Sequence, residues 1–119
     1  MNMALVIDDE LDLCLLLTRH LQHFDFETSY ALTFKDAIDQ INAEIYKLIF
    51  IDITLPDGSG FDIIEHIKSS NLSSIIIVIS AYHHEAPKAL GMGANLFIPK
   101  PFSMKSINQA LKAMDMLPV

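Results

Sequence analysis

Five polar residues follow directly on short apolar runs of this 119-residue sequence. Asp8 and Asp9 come after Ala4-Leu5-Val6-Ile7, Asp52 after Leu48-Ile49-Phe50-Ile51, and Ser80 after Ile75-Ile76-Ile77-Val78-Ile79. Lys100 lies just past a weaker run, Leu96-Phe97-Ile98. Gathered in one place, three carboxylates and one ammonium leave a local charge of about −2, and two carboxylates about 5 Å apart repel by roughly 3 kcal/mol. A hard divalent cation relieves that repulsion. Oxygen-only ligands with no nearby His or Cys favour Mg²⁺ over Zn²⁺. The set then reads as a metal-plus-phosphoryl site, in which Mg²⁺ and Lys100 neutralise phosphoryl oxygens and a carboxylate attacks phosphorus in line. Each residue also has a plainer use. Asp8 and Asp9 would cap the first helix, Asp52 would open the turn before Pro56, Ser80 would end a strand, and Lys100 would be a solvated charge. Those plainer uses would all have to coincide at one edge of one sheet.

The apolar runs are the elements that must do the gathering. The three strongest are near-continuously apolar rather than alternating, as strands buried on both faces of a parallel sheet are. Residues 27–30 and 96–98 read as outer strands. Between them runs helical period. Phe34, Ala37, Ile38 and Ile41 fall at i, i+3, i+4 and i+7, as do Ile107, Ala110, Leu111 and Met114. Leu11, Leu15, Thr18 and Leu21 make a stripe on the first helix, and Phe61, Ile64 and Ile67 one on the third. Thr33, Ser59 and Ser103 stand where helix caps are wanted. The fourth helix, within residues 83–90, should be short, because Pro87 is tolerated only in its first turn. Five βα units predict a doubly wound, five-stranded parallel sheet of order 2-1-3-4-5 with helices on both faces. Such sheets bind ligands beyond the carboxyl ends of their strands, where all five polar residues stand.

Composition narrows the classes. With 51% hydrophobic residues a core can form, and the length fits one domain, residues 1–119. No apolar run approaches the roughly 20 residues of a membrane helix, and no secretory signal pattern opens the sequence. A net charge of −7 argues against binding nucleic acid, and the single Cys14 against a disulfide, so a cytoplasmic location is expected.

Four segments carry a family resemblance: Val6-Ile7-Asp8-Asp9-Glu10, Ile51-Asp52-Ile53-Thr54-Leu55-Pro56-Asp57-Gly58-Ser59-Gly60, Ile79-Ser80-Ala81, and Gly93-Ala94-Asn95-Leu96-Phe97-Ile98-Pro99-Lys100-Pro101-Phe102. In this order they resemble the receiver domains of two-component response regulators, with a CheY-like, flavodoxin-like fold. The resemblance implies that Asp52 is the phosphoacceptor, served by a sensor histidine kinase or a His phosphotransfer protein. It implies Mg²⁺ held by Asp9, by Asp52, by the Thr54 backbone carbonyl and by Asp8 partly through water. It also implies that Lys100 pairs with the phosphoryl oxygens, that Ser80 moves to them, and that Phe97 swings inward. The Lys100-Pro101 bond is expected to be cis. The face of helix 4, strand 5 and helix 5 would then bind a partner, with self-association on phosphorylation a further option. A protein of this kind modifies only itself and is not a turnover enzyme.

The sequence departs from the family pattern in places. Ser80 replaces the commoner Thr and keeps the hydroxyl. The 20 residues from Ser80 to Lys100 are fewer than is common, which again shortens the fourth helix. Tyr82 is bulky where family members tune dephosphorylation, and is expected to impede the attacking water. His20, His23, His66, His83 and His84 read as surface residues, and Cys14 as a packing residue. Two rivals stand beside this reading: a receiver-like docking module that is never phosphorylated, and an enzyme, such as a Mg²⁺-dependent phosphatase or a flavodoxin-like cofactor protein, sharing the fold only by analogy. A sequence ending at Leu117-Pro118-Val119 fits either a stand-alone regulator or a piece of a longer protein.

Overall fold

The structure, a computed structural model, describes residues 2–117; Pro118 and Val119, at the end of the expected domain, lie outside the described residues. Five parallel strands, β1 (Met3–Ile7), β2 (Glu27–Ala31), β3 (Leu48–Asp52), β4 (Ile75–Ser80) and β5 (Leu96–Pro99), form one sheet in the order 2-1-3-4-5. The helices are α1 (Leu11–Gln22), α2 (Phe34–Ala43), α3 (Gly60–Ser69), α4 (Ala86–Gly91) and α5 (Met104–Ala113). This is the expected doubly wound fold.

Strand alternation assigns the two faces. Leu5, Ile7, Ile49, Ile51, Ile76 and Val78 point to the layer of α2, α3 and α4, where Ile41, Ile63, Ile64, Ile67 and Ala89 meet them. Ala4, Val6, Leu48, Phe50, Ile77 and Ile79 point the other way, onto Cys14, Leu17, Leu21, Ile107 and Leu111 of α1 and α5. Both faces of the central strands are therefore dry, which is why those strands read as unbroken apolar runs.

The caps follow the sequence. Thr33 Oγ1 accepts from Asp36 N, Ser59 Oγ accepts from Phe61 N, and Ser103 forms a capping box with Ser106. The short fourth helix is also observed. A 3₁₀ turn, His83–Glu85, leads into α4 with Pro87 in its first turn, where a missing N–H leaves no helical bond unmade.

Two features differ from expectation. The buried face of α1 is Cys14, Leu17, Thr18 and Leu21, while Leu11 and Leu15 are 43% and 41% exposed. With Leu at positions 11, 13, 15, 16 and 17, the helix is apolar nearly all round, and period alone cannot choose its inward side. A two-residue antiparallel hairpin, Thr54–Leu55 with Gly58–Ser59, was also not anticipated, being too short to show a period. It matters to the site because it carries Thr54. A Cβ on Gly60, at the start of α3, would run into the Asp52 carbonyl oxygen, so only glycine lets α3 begin this close to the end of β3.

Candidate functional site

The carboxyl edge of the sheet brings the predicted residues together. Asp8 directly follows β1, Asp52 is the last residue of β3, Ser80 the last of β4, and Lys100 the first after β5. Backbone bonds pin these ends: Asp8 N donates to Ala31 O at 3.0 Å and Lys100 N to Ser80 O at 2.8 Å. The Lys100-Pro101 peptide is cis, as expected.

Lys100 is the hub. Its Nζ lies 2.8 Å from Asp8 Oδ2, 3.1 Å from Asp52 Oδ2 and 3.5 Å from Glu10 Oε1. The contact with Asp52 is a hydrogen bond. The approach to Asp8 Oδ2 is close, but its angle makes none, and that buried oxygen has no hydrogen-bond partner among the described residues. Asp8 Oδ1 accepts from Glu10 N at 2.9 Å, and Asp52 Oδ1 accepts from Thr54 N at 3.3 Å.

Asp8, Asp9 and Glu10 can each bring a carboxylate oxygen within 4.8 Å of the others. Asp8 is buried, whereas Asp9 and Glu10 are exposed. A cleft of about 200 Å³ opens over them, lined by Asp9, Glu10, Asp52, Thr54, Ala81, Tyr82 and Lys100. One ammonium thus faces four carboxylates, one more than the sequence reading counted. The sequence signals Glu10 only by its adjacency to the Asp8-Asp9 pair.

The imbalance shows in proton affinities. Burial, then the charge of Asp8, pushes the Asp52 carboxyl up to about 6, against the opposing pull of Lys100 and the Thr54 N–H. Burial also raises Asp8, although Lys100 and Glu10 N work against it. Burial acts on the Lys100 ammonium too, yet Asp8 and Asp52 together outweigh it and tighten its hold on its proton. A buried carboxylate oxygen whose near partner is the shared Lys100 ammonium, a neighbouring Asp with elevated proton affinity and an all-oxygen donor set fit a hard divalent cation. Capping is only part of what these acids do: Asp8 Oδ1 serves the N–H of Glu10 just before α1, and Glu10, at the N-cap, makes no side-chain cap bond.

The remaining residues fall outside the acidic cleft or at its rim. Ser80 is buried, its hydroxyl 2.9 Å from Glu85 Oε1. Tyr82 is 52% exposed and borders the cleft. Phe97 is half-buried against the α2–α4 layer. Cys14 is a packing residue, its thiol pushed up to about 12 mainly by burial and then by Asp8. His20 Nε2 and His66 Nε2 lie 2.7 and 2.8 Å from Asn108 Oδ1 and Asn42 Oδ1, linking neighbouring helices. Asp57 was missed: its carboxylate accepts from Phe34 N and Lys35 N, tying the Thr54 hairpin to the start of α2. No helix among the described residues is long and apolar enough to cross a membrane.

Known proteins can now be set beside this geometry. A family model described as response regulator receiver domain matches residues 4–112. The sensory transduction protein LytR of Staphylococcus epidermidis is 36% identical over 95% of this chain and 46% of its own length. The chain spans about half the length of the curated relatives it matches first. Response regulator protein TrrA of Thermotoga maritima, solved in complex with Mg(2+)-BeF, superposes with a TM-score of 0.85 at 26% identity, covering 96% of this chain and 99% of that one. The non-phosphorylated HemR receiver domain of Leptospira biflexa gives a TM-score of 0.88 at 26% identity, covering 100% and 98%.

Proposed function

Since the chain belongs to the response regulator receiver domain family of two-component signalling, we propose that Asp52 is its phosphoacceptor and that a sensor histidine kinase or His phosphotransfer protein is the donor. The observation that carries this reading is the Lys100 hub, which holds Asp8 and Asp52 at 2.8 and 3.1 Å beneath an acidic cleft. Receiver domains are signalling domains rather than turnover enzymes.

The cation of this site is Mg²⁺, to be held by Asp9, Asp52 and the Thr54 backbone carbonyl, with Asp8 behind them. When bound it supplies positive charge that offsets the carboxylates and the arriving phosphoryl oxygens. Its presence in the TrrA complex, on a similar fold, supports the assignment. The chain's own groups do the rest. Asp52 Oδ attacks phosphorus, the phosphorus–nitrogen bond of the donor histidine breaks, and the imidazole leaves with its electron pair. Lys100 stays beside Asp52 and pairs with a phosphoryl oxygen. Hydrolysis later reverses the state: water attacks phosphorus, inorganic phosphate departs, and the Asp52 carboxylate is restored.

A protein donor has somewhere to sit. A groove of about 530 Å³ lined by Leu13, Leu16 and Phe102 adjoins the cleft and shares Glu10 and Lys100 with it. The output on this reading runs through the hydroxyl of Ser80, whose move towards a phosphoryl oxygen would shift the end of β4 and bias Phe97 and the α4–β5–α5 face. The test is incubation with acetyl phosphate and Mg²⁺. The expected product gains about 80 Da, the mass of one phosphoryl group, and chelation of Mg²⁺ prevents it. An unmodified protein in the presence of Mg²⁺ would instead favour the docking-module rival.

A further inference from the structure

We propose, building on the reading of Asp52 as phosphoacceptor, that Glu85 is a positioning residue whose carboxylate holds the Ser80 hydroxyl in the unphosphorylated state, so that the phosphoryl group must win that hydroxyl from it. Ser80 is 1% exposed, and the single proton of its hydroxyl is already committed. It donates to Glu85 Oε1 at 2.9 Å and accepts from Tyr82 N at 3.1 Å. A serine hydroxyl carries one proton. While that proton points at Glu85, it cannot point at an oxygen on Asp52.

The local backbone is arranged to make this contact. Four residues separate Ser80 from Glu85, and the 3₁₀ turn of His83–Glu85, closed by Glu85 N donating to Tyr82 O at 3.1 Å, turns the chain back on itself. Residues 81–84 are exposed, whereas Glu85 is half-buried. Glu85 also occupies the N-cap of α4, where an acid can serve the helix's own free N–H groups. It makes no such bond. Its carboxylate is directed to Ser80 instead, which links the hydroxyl to the residue from which α4 starts. Releasing the hydroxyl therefore releases the start of α4.

This predicts a competition that a double-mutant cycle can read. The probe is beryllofluoride with Mg²⁺, titrated by NMR. Glu85→Ala should tighten binding about tenfold, the worth of one charge-assisted hydrogen bond removed from the unliganded state. In a Ser80→Ala background the same substitution should change affinity less than about threefold. Glu85→Gln keeps an acceptor oxygen and should stay nearer wild type than Glu85→Ala. Equal tightening with and without the Ser80 hydroxyl would overturn the proposal, since Glu85 would then act only through its charge. No tightening at all would overturn it too. Should the wild type bind no beryllofluoride, the phosphoacceptor reading fails by itself. The contact is then decided in the free protein, where Glu85→Ala must move the Ser80 amide resonance and an unmoved resonance would dispose of it.

Discussion

Replacing Asp52 by Asn should make the metal-free protein more stable. Asp52 is 6% exposed, and its carboxyl is pushed from 3.8 up to about 6, mainly by burial and then by Asp8. At about 1.4 kcal/mol per unit, ionising this group costs the folded state about 3 kcal/mol relative to the unfolded chain. Asn resembles the neutral acid in shape and carries no charge to desolvate; its one carbonyl oxygen can keep the bond from Thr54 N or the one from Lys100 Nζ, not both, so it avoids most of that cost. The sign follows from proton binding. Between about 4 and about 6 the folded state holds more protons at Asp52 than the unfolded state does, so wild-type stability falls as pH rises through that window. The advantage of Asp52→Asn should therefore be full at about pH 7.5, shrink as pH drops below about 6, and be nearly gone at about pH 3.5. Urea unfolding followed by circular dichroism, with chelator present, measures it; the protein has no Trp to report instead. On this scale the melting temperature rises by on the order of 10 °C at the higher pH. Saturating Mg²⁺ should narrow the gap, because the cation relieves in the wild type what Asn removes. An Asn variant no more stable than wild type at about pH 7.5, or an advantage undiminished at about pH 3.5, would refute the reasoning.

Other outcomes follow from the same geometry. Mg²⁺ at tenfold its dissociation constant should stabilise the wild type by about 1.4 kcal/mol, read as a thermal shift, and Asp9→Ala should abolish the shift. Tyr82 borders the cleft beside Asp52. Tyr82→Ala should admit water and speed loss of the phosphoryl group about threefold or more, measured as phosphate release from purified phosphoprotein; an unchanged rate would remove Tyr82 from the account.

What could be read from the sequence, and what could not, has physical causes. Strands buried on both faces leave unbroken β-branched runs, so β1, β3 and β4 were visible, and so were the polar residues ending them. Pro87 announced a short α4 because its ring limits where a helix can place it. The inward face of α1 was not legible, since five leucines within seven positions erase the contrast that period depends on. Glu85 and Asp57 were also hidden. Each is an acid in a polar stretch, and its role comes from a turn or a neighbouring helix that brings a donor to it: the Ser80 hydroxyl in one case, the N–H groups of Phe34 and Lys35 in the other. Glu10 shows the same limit, because only the fold reveals that Lys100, ninety positions away, lies 3.5 Å from it.

The central claim is that Asp52, and no other acid of the crowded cleft, takes the phosphoryl group. Borohydride reduces an acyl phosphate on aspartate to homoserine, so reduction after acetyl phosphate treatment, followed by peptide mapping, marks the modified residue. Homoserine is expected at position 52 alone, and none in Asp52→Asn. Homoserine at position 8 or 9, or an adduct that survives in the Asn variant, would contradict it.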